Sequence, residues 1–123
     1  ADIDTATGIR VSLGRLYVQV RELDKAIPLL QKVTIDEPGF TQAIAMLADA
    51  YATAGKTEAA IRLLADASER DPNFFGALGE AYEKKGLFRE ALQEYTTAYE
   101  LNPDATKVAR RIPQMKIRIL QQK

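Results

Sequence analysis

The chain predicts an all-α fold, an α-solenoid of three helix-turn-helix copies followed by a terminal capping helix, and three observations carry that expectation. Tyr17, Tyr51 and Tyr82 recur at steps of 34 and then 31 residues, and Pro38, Pro72 and Pro103 follow them, each 21 residues on. Apolar residues around each tyrosine fall at i, i+3, i+4 and i+7, which lines one side of a helix. Small residues recur at matched places, Gly14, Ala48 and Gly79 in one register and Ala26, Ala60 and Ala91 in another. A unit of this length cannot bury its apolar face alone, so copies stack.

The elements follow in order. Residues 1–6 are a lead-in, residues 7–40 the first copy, 41–71 the second and 72–105 the third, with 106–123 left as the cap. In the second copy, Ile44, Leu47, Ala48 and Tyr51 form the stripe of a first helix, and Ala60, Leu63, Leu64 and Ala67 that of a second running from Thr57 to Arg70. Gly55 and Gly86 stand between the paired helices, where a left-handed residue ends the first. Pro38, Pro72 and Pro103 stop the second helices. The 31-residue step removes three residues between the second and third hairpins. The first helix of the third copy should therefore begin near Asn73 or Phe74 and be shorter by about 4.5 Å, with Asn73 as its cap. Phe74 and Phe75 at the cut edge read as a plug against the second copy or as an exposed aromatic anchor, and the plug is favoured.

Quoted along the copies, the pattern is Leu13-Gly14, Tyr17, Ala26, Leu30, Pro38, then Leu47-Ala48, Tyr51, Ala60, Leu64, Pro72, then Leu78-Gly79, Tyr82, Ala91, Tyr95, Pro103. It resembles the tetratricopeptide repeat, whose signature is Trp-x2-Leu-Gly-x2-Tyr, then Ala, Phe and Pro. The tryptophan-type position holds Arg10, Ile44 and Phe75, and the phenylalanine-type position Leu30, Leu64 and Tyr95. The resemblance covers about residues 7 to 105 and implies a right-handed superhelix that works as a protein-protein interaction scaffold. It also implies a concave groove lined by the first helices. The implied partner-binding positions are Val11, Arg15, Val18 and Gln19 in the first copy, with Gly8 beside them, and Gln42, Ala45, Asp49, Ala52 and Thr53 in the second. In the third copy they are Gly76, Glu80, Glu83 and Lys84. Such a floor suits an extended peptide or an amphipathic helix. The two-carboxylate clamp of one subset of the family would fall on Val11, Arg15, Met46, Asn73 and Ala77; only Arg15 could serve an anion, so the clamp is absent.

Charge sharpens the expected partner. Asp49, Glu80 and Glu83 make the groove acidic, which favours a ligand with basic residues. The alternative is that Arg15 pairs with Asp49 and arginines of the tail neutralise Glu80; both readings stay open. The chain has 17 basic and 17 acidic residues, yet residues 107–123 carry six basic side chains and no acidic one. Val108, Ile112, Met115 and Ile119 make an apolar stripe in that segment, which reads as a cap over the third copy. A nucleic-acid patch is disfavoured, because neither interleaved aromatics nor a phosphate-cradling glycine loop is present. Pro113 is expected to kink or split the cap, and Ile117 lies off its stripe.

Catalysis is not expected. With no histidine and no cysteine, the chain has no imidazole acid-base group, thiol nucleophile or usual zinc ligand set, and the pattern implies no cofactor or metal. Glu80/Glu83, Asp36/Glu37 and Glu69/Asp71 could pair carboxylates for acid-base work, but they read first as a polar helix face and solvated turns. No apolar run approaches the roughly 20 residues that cross a bilayer. The start at Ala1 without methionine fits a segment of a longer repeat array. Two functions follow: a non-catalytic scaffold docking a peptide or helix, or a self-assembly module in which the basic tail of one copy fills the groove of another.

Overall fold

The computed structural model describes residues 5–122. Among them are seven α-helices, one 3-10 turn and no strand: α1 Thr5–Gln19, α2 Leu23–Asp36, α3 Thr41–Thr53, α4 Thr57–Arg70, the turn Pro72–Phe74, α5 Phe75–Lys84, α6 Phe88–Leu101 and α7 Thr106–Gln121. Residues 1–4 of the expected lead-in lie outside the described residues, as does Lys123 of the cap, while Thr5 and Ala6 form the first turn of α1. No helix is long and apolar enough to cross a membrane, among the described residues. The fold divides into two compact units, one up to Ala60 and one from Ile61.

The turns inside the hairpins close at the same place in all three copies. The N–H groups of Glu22, Lys56 and Leu87 donate to the carbonyls of Tyr17, Tyr51 and Tyr82 at 2.9, 2.8 and 2.9 Å. These are the bonds that close a helix whose next residue is left-handed. Gly55 and Gly86 take that conformation at φ +79° and +84°. The first copy has no glycine there, and Arg21 is forced to φ +65°.

In the N-terminal unit α1 packs on α2 and α2 on α3. The approach of α1 to α2 is set by Gly14, where a Cβ would lie 2.8 Å from Leu30, and Leu30 is fully buried. Val11, Val33 and Ala43 form a core with Phe40 and Met46 packed on it. Gln31 donates to the Tyr51 hydroxyl at 2.6 Å, joining α2 to α3. Arg10 and Lys32 pair with Asp36 at 3.5 and 3.2 Å, so that carboxylate is held between two cations at the end of α2.

The C-terminal unit repeats the arrangement. Gly79 lets α6 approach α5, because a Cβ there would lie 2.8 Å from the ring of Tyr95. Phe88, Ala91, Tyr95 and Met115 make the core of the unit, and Val108, Ile112 and Ile119 of α7 pack against it. The basic tail is therefore seated on α6 through its apolar stripe. Pro113 does not split it, and α7 runs unbroken from Thr106 to Gln121.

The shortened copy has α5 at 10 residues against 13 for α3. Its cap is not Asn73. The Asp71 side chain accepts from the Asn73 N–H at 3.0 Å, and the 3-10 turn stands where the missing helical turn would be. Asp71 therefore caps the 3-10 turn, with Pro72 at its first position, while α5 itself starts after Phe74 without a side-chain cap. Phe74 is buried, as a plug requires, and Phe75 is half-buried.

Arg21→Gly relieves a left-handed side chain that costs on the order of 1–2 kcal/mol, part of which returns as backbone entropy of the unfolded glycine. The urea midpoint should rise by the equivalent of about 0.5–1 kcal/mol, and a fall would contradict the account of this turn.

Candidate functional site

The C-terminal unit contains a cavity of about 380 Å³ lined by α5, α6 and α7. Gly76 and Ala77 of α5, Val108 of α7 and the Tyr95 ring give it an apolar floor. Glu80, Glu83, Lys84, Lys107 and Arg111 supply the polar groups. A Cβ at Gly76 would meet Val108 at 3.4 Å, so a residue larger than alanine would fill the cavity from one side.

Glu83 is the electrostatic centre. The buried Tyr95 hydroxyl donates to Glu83 Oε1 at 2.8 Å. Arg111 Nε donates to the same oxygen at 3.1 Å, and Arg111 Nη2 donates to Oε2. A planar guanidinium meeting both carboxylate oxygens is the strongest form of this pairing, and it ties α7 to α5 while the tyrosine ties α6 to both. Burial, and secondarily the charge of Glu80, push the Tyr95 phenol up to about 12. It therefore remains protonated, and a donor, at neutral pH.

A second, more polar cavity of about 460 Å³ shares Glu83 and Arg111 and is lined also by Phe88, Gln114, Met115, Ile117, Arg118 and Gln121. Arg118 stacks on Phe88 at 4.7 Å from the ring centre. Ile117, off the packed stripe, is exposed in this cavity.

The structure sorts the expected groove residues. Gly76, Glu80, Glu83 and Lys84 come together in the first cavity. In the N-terminal unit Arg15, Gln19, Gln42, Ala45, Asp49 and Thr53 are exposed, and Val18 and Ala52 are half-buried. Val11 is only 5 % exposed and belongs to the core with Val33 and Ala43; its side chain is spent on packing and gives a ligand nothing to touch. No ion pair joins Arg15 to Asp49 among the described residues. The tail arginine that neutralises this surface is Arg111, and its target is Glu83 rather than Glu80. Two carboxylates and three cations ring the cavity, so the expected preference for a basic ligand has no support in the third copy. Tyr95, Val108 and Arg111 were not among the expected site residues. The stripe of α7 announced its packing, but nothing in the spacing showed which carboxylate Arg111 would reach.

Three of the six carboxylates considered for catalysis are engaged, one member of each pair: Asp36 with Arg10 and Lys32, Asp71 with a backbone N–H, Glu83 with Arg111 and Tyr95. No group of three acidic side chains is placed to hold a metal ion, among the described residues.

Models of the tetratricopeptide repeat match residues 17–83 and 73–105. The chain belongs to the tetratricopeptide repeat family. Over 95 residues it is 34% identical to human Superkiller complex protein 3, an alignment that takes in 73% of this chain and 6% of that protein. Among solved structures it is similar to MamA (AMB-1), at 28% identity and a TM-score of 0.70, covering 92% of this chain and 68% of that one. It also superposes on SycD, the Yersinia enterocolitica type III secretion chaperone, solved with a peptide of the translocator YopD. There the TM-score is 0.80 at 18% identity, over 98% of both chains, a likeness of fold alone. These matches agree with the all-α helical-repeat architecture.

The Tyr95 phenol gives this tetratricopeptide unit a measurable pH dependence. The folded phenol, at about 12, holds its proton more tightly than an unfolded tyrosine at about 10. Its contribution is complete below about pH 10 and is lost as pH rises toward about 12, at up to about 1.4 kcal/mol per pH unit. Tyr95→Phe should flatten that fall in urea midpoints measured on both sides of the window, and identical slopes for the two proteins would refute the burial argument.

Proposed function

We propose that this chain is a non-catalytic interaction scaffold that docks a peptide or helix of a partner protein, and that the cavity between α5 and α7 seats one apolar side chain of that partner. The cavity itself is the observation that carries the reading: an apolar floor of Gly76, Ala77 and Val108 with charged groups at its edge. A concavity of this composition fixes an apolar anchor by burial and its flanks by polar contacts. SycD holds a peptide of YopD on the same architecture, which supports a peptide as the ligand class. In the N-terminal unit, taken by itself, exposed Arg15, Gln19, Gln42, Asp49 and Thr53, with half-buried Val18 and Ala52, are the positions proposed for ligand contact.

Because Glu83 is already neutralised by Arg111, the sequence around the anchor is expected to be mixed in charge rather than basic, with weak dependence on salt. The competing reading, in which the tail of one copy fills the groove of another, is disfavoured by the seating of the α7 stripe on its own α6.

Selection from a random peptide library should enrich sequences with a fixed apolar residue. Ala77→Leu, which fills the cavity, should weaken those peptides at least about tenfold, the equivalent of about 1.4 kcal/mol, with little change in melting temperature. Enrichment of basic peptides without an apolar anchor, or binding unaffected by Ala77→Leu, would overturn the reading.

A further inference from the structure

The second cavity of the C-terminal unit carries charge that an apolar anchor would not use. Its lining sets one carboxylate, Glu83, against two guanidiniums, Arg111 and Arg118. Glu83 is already satisfied by Arg111 and Tyr95, so it competes weakly for a further cation. A guanidinium has five N–H donors, and Arg111 reaches Glu83 through Nε and Nη2, which leaves Nη1 for another acceptor. Arg118 stacks on the Phe88 ring, 4.7 Å from its centre, and no carboxylate pairs with it among the described residues. Stacking on the flat face leaves the N–H edge of an arginine open and restricts its rotamers before a ligand arrives, so a carboxylate binds there at a smaller ordering cost.

We propose that this cavity is a carboxylate site, and that it holds an aspartate or glutamate side chain of the same peptide whose apolar residue enters the cavity between α5 and α7. The inference rests on that anchor reading and adds a charge and a spacing to it. Arg118 and Arg111 Nη1 supply the charged donors, and Gln114 adds an amide at the rim. Ile117, 55 % exposed, gives the methylenes of a glutamate an apolar wall. The anchor cavity thus reads shape and its neighbour reads a negative charge. Their separation follows from α7, which lines both: Arg118 lies ten residues beyond Val108, roughly 15 Å along a helix that rises about 1.5 Å per residue. An extended ligand running beside α7 advances about 3.3 Å per residue. The long side chains of arginine and glutamate shorten the requirement, which places the acidic residue roughly three to five positions from the anchor.

Random-library peptides selected on the full chain, resynthesised with amidated C-termini so that no terminal carboxylate is read, test this by fluorescence polarisation. An aspartate or glutamate should be enriched at that spacing from the apolar residue. Its change to glutamine in the peptide should weaken binding at least about fivefold to the unmodified chain and leave binding to Arg118→Gln unaltered. Selection on Arg118→Glu should keep the apolar anchor and exchange the acidic residue for lysine or arginine. If loss of the stack on Phe88 lowers the melting temperature, Gln114→Glu, which adds a carboxylate to the cavity, takes its place and should discriminate against the acidic peptide alone. An apolar anchor still blocked by Ala77→Leu, with no acidic residue at this spacing, overturns the carboxylate site and leaves the anchor standing. Equal weakening of the acidic and glutamine peptides by Arg118→Gln assigns Arg118 a packing role and also overturns it. Peptides with no fixed apolar residue overturn both readings.

Discussion

The C-terminal unit depends on one close approach, the Tyr95 ring against Gly79. A Cβ at position 79 would sit 2.8 Å from that ring, so the absence of a side chain is what allows α6 to lie on α5 with a fully buried aromatic between them. From there the Tyr95 hydroxyl reaches Glu83, and Glu83 in turn fixes Arg111. One packing event thus places three helices, neutralises a carboxylate and shapes the cavity beside it. The N-terminal unit uses the same device with Leu30 against Gly14, but without a hydroxyl. It therefore gains the packing without the polar relay that a tyrosine at this position provides.

The relay also takes Glu83 out of the acidic surface expected in the third copy. Charges that look free along a sequence are those whose partners lie far away in it, and Glu83 and Arg111 are 28 residues apart. Once paired they orient α7 more than they attract a ligand. Under the proposed reading, recognition of the anchor rests on shape: a pocket lined by two small residues on α5 and a valine on α7.

The repeat was legible because its determinants are local. The glycines and prolines act on their own turns, and the 34 and 31 residue steps set both the hairpins and the shortened α5. Asn73 was misjudged because it lies inside the 3-10 turn that Asp71 caps, and α5 starts after Phe74 without a side-chain cap. Val11 was misplaced because a repeat position implies a direction for a side chain, whereas burial depends on what Phe40 and Met46 cover. Pro113 sits inside an unbroken α7, and Pro28 inside α2; a proline costs a helix one hydrogen bond, and packing of the stripe can outweigh that loss.

Methyl NMR on a complex with a library-selected peptide tests the central claim most directly. Intermolecular NOEs from one apolar side chain of the peptide to the Ala77 and Val108 methyls are the result this account predicts. A bound peptide whose NOEs reach other methyls and leave Ala77 and Val108 untouched would contradict it.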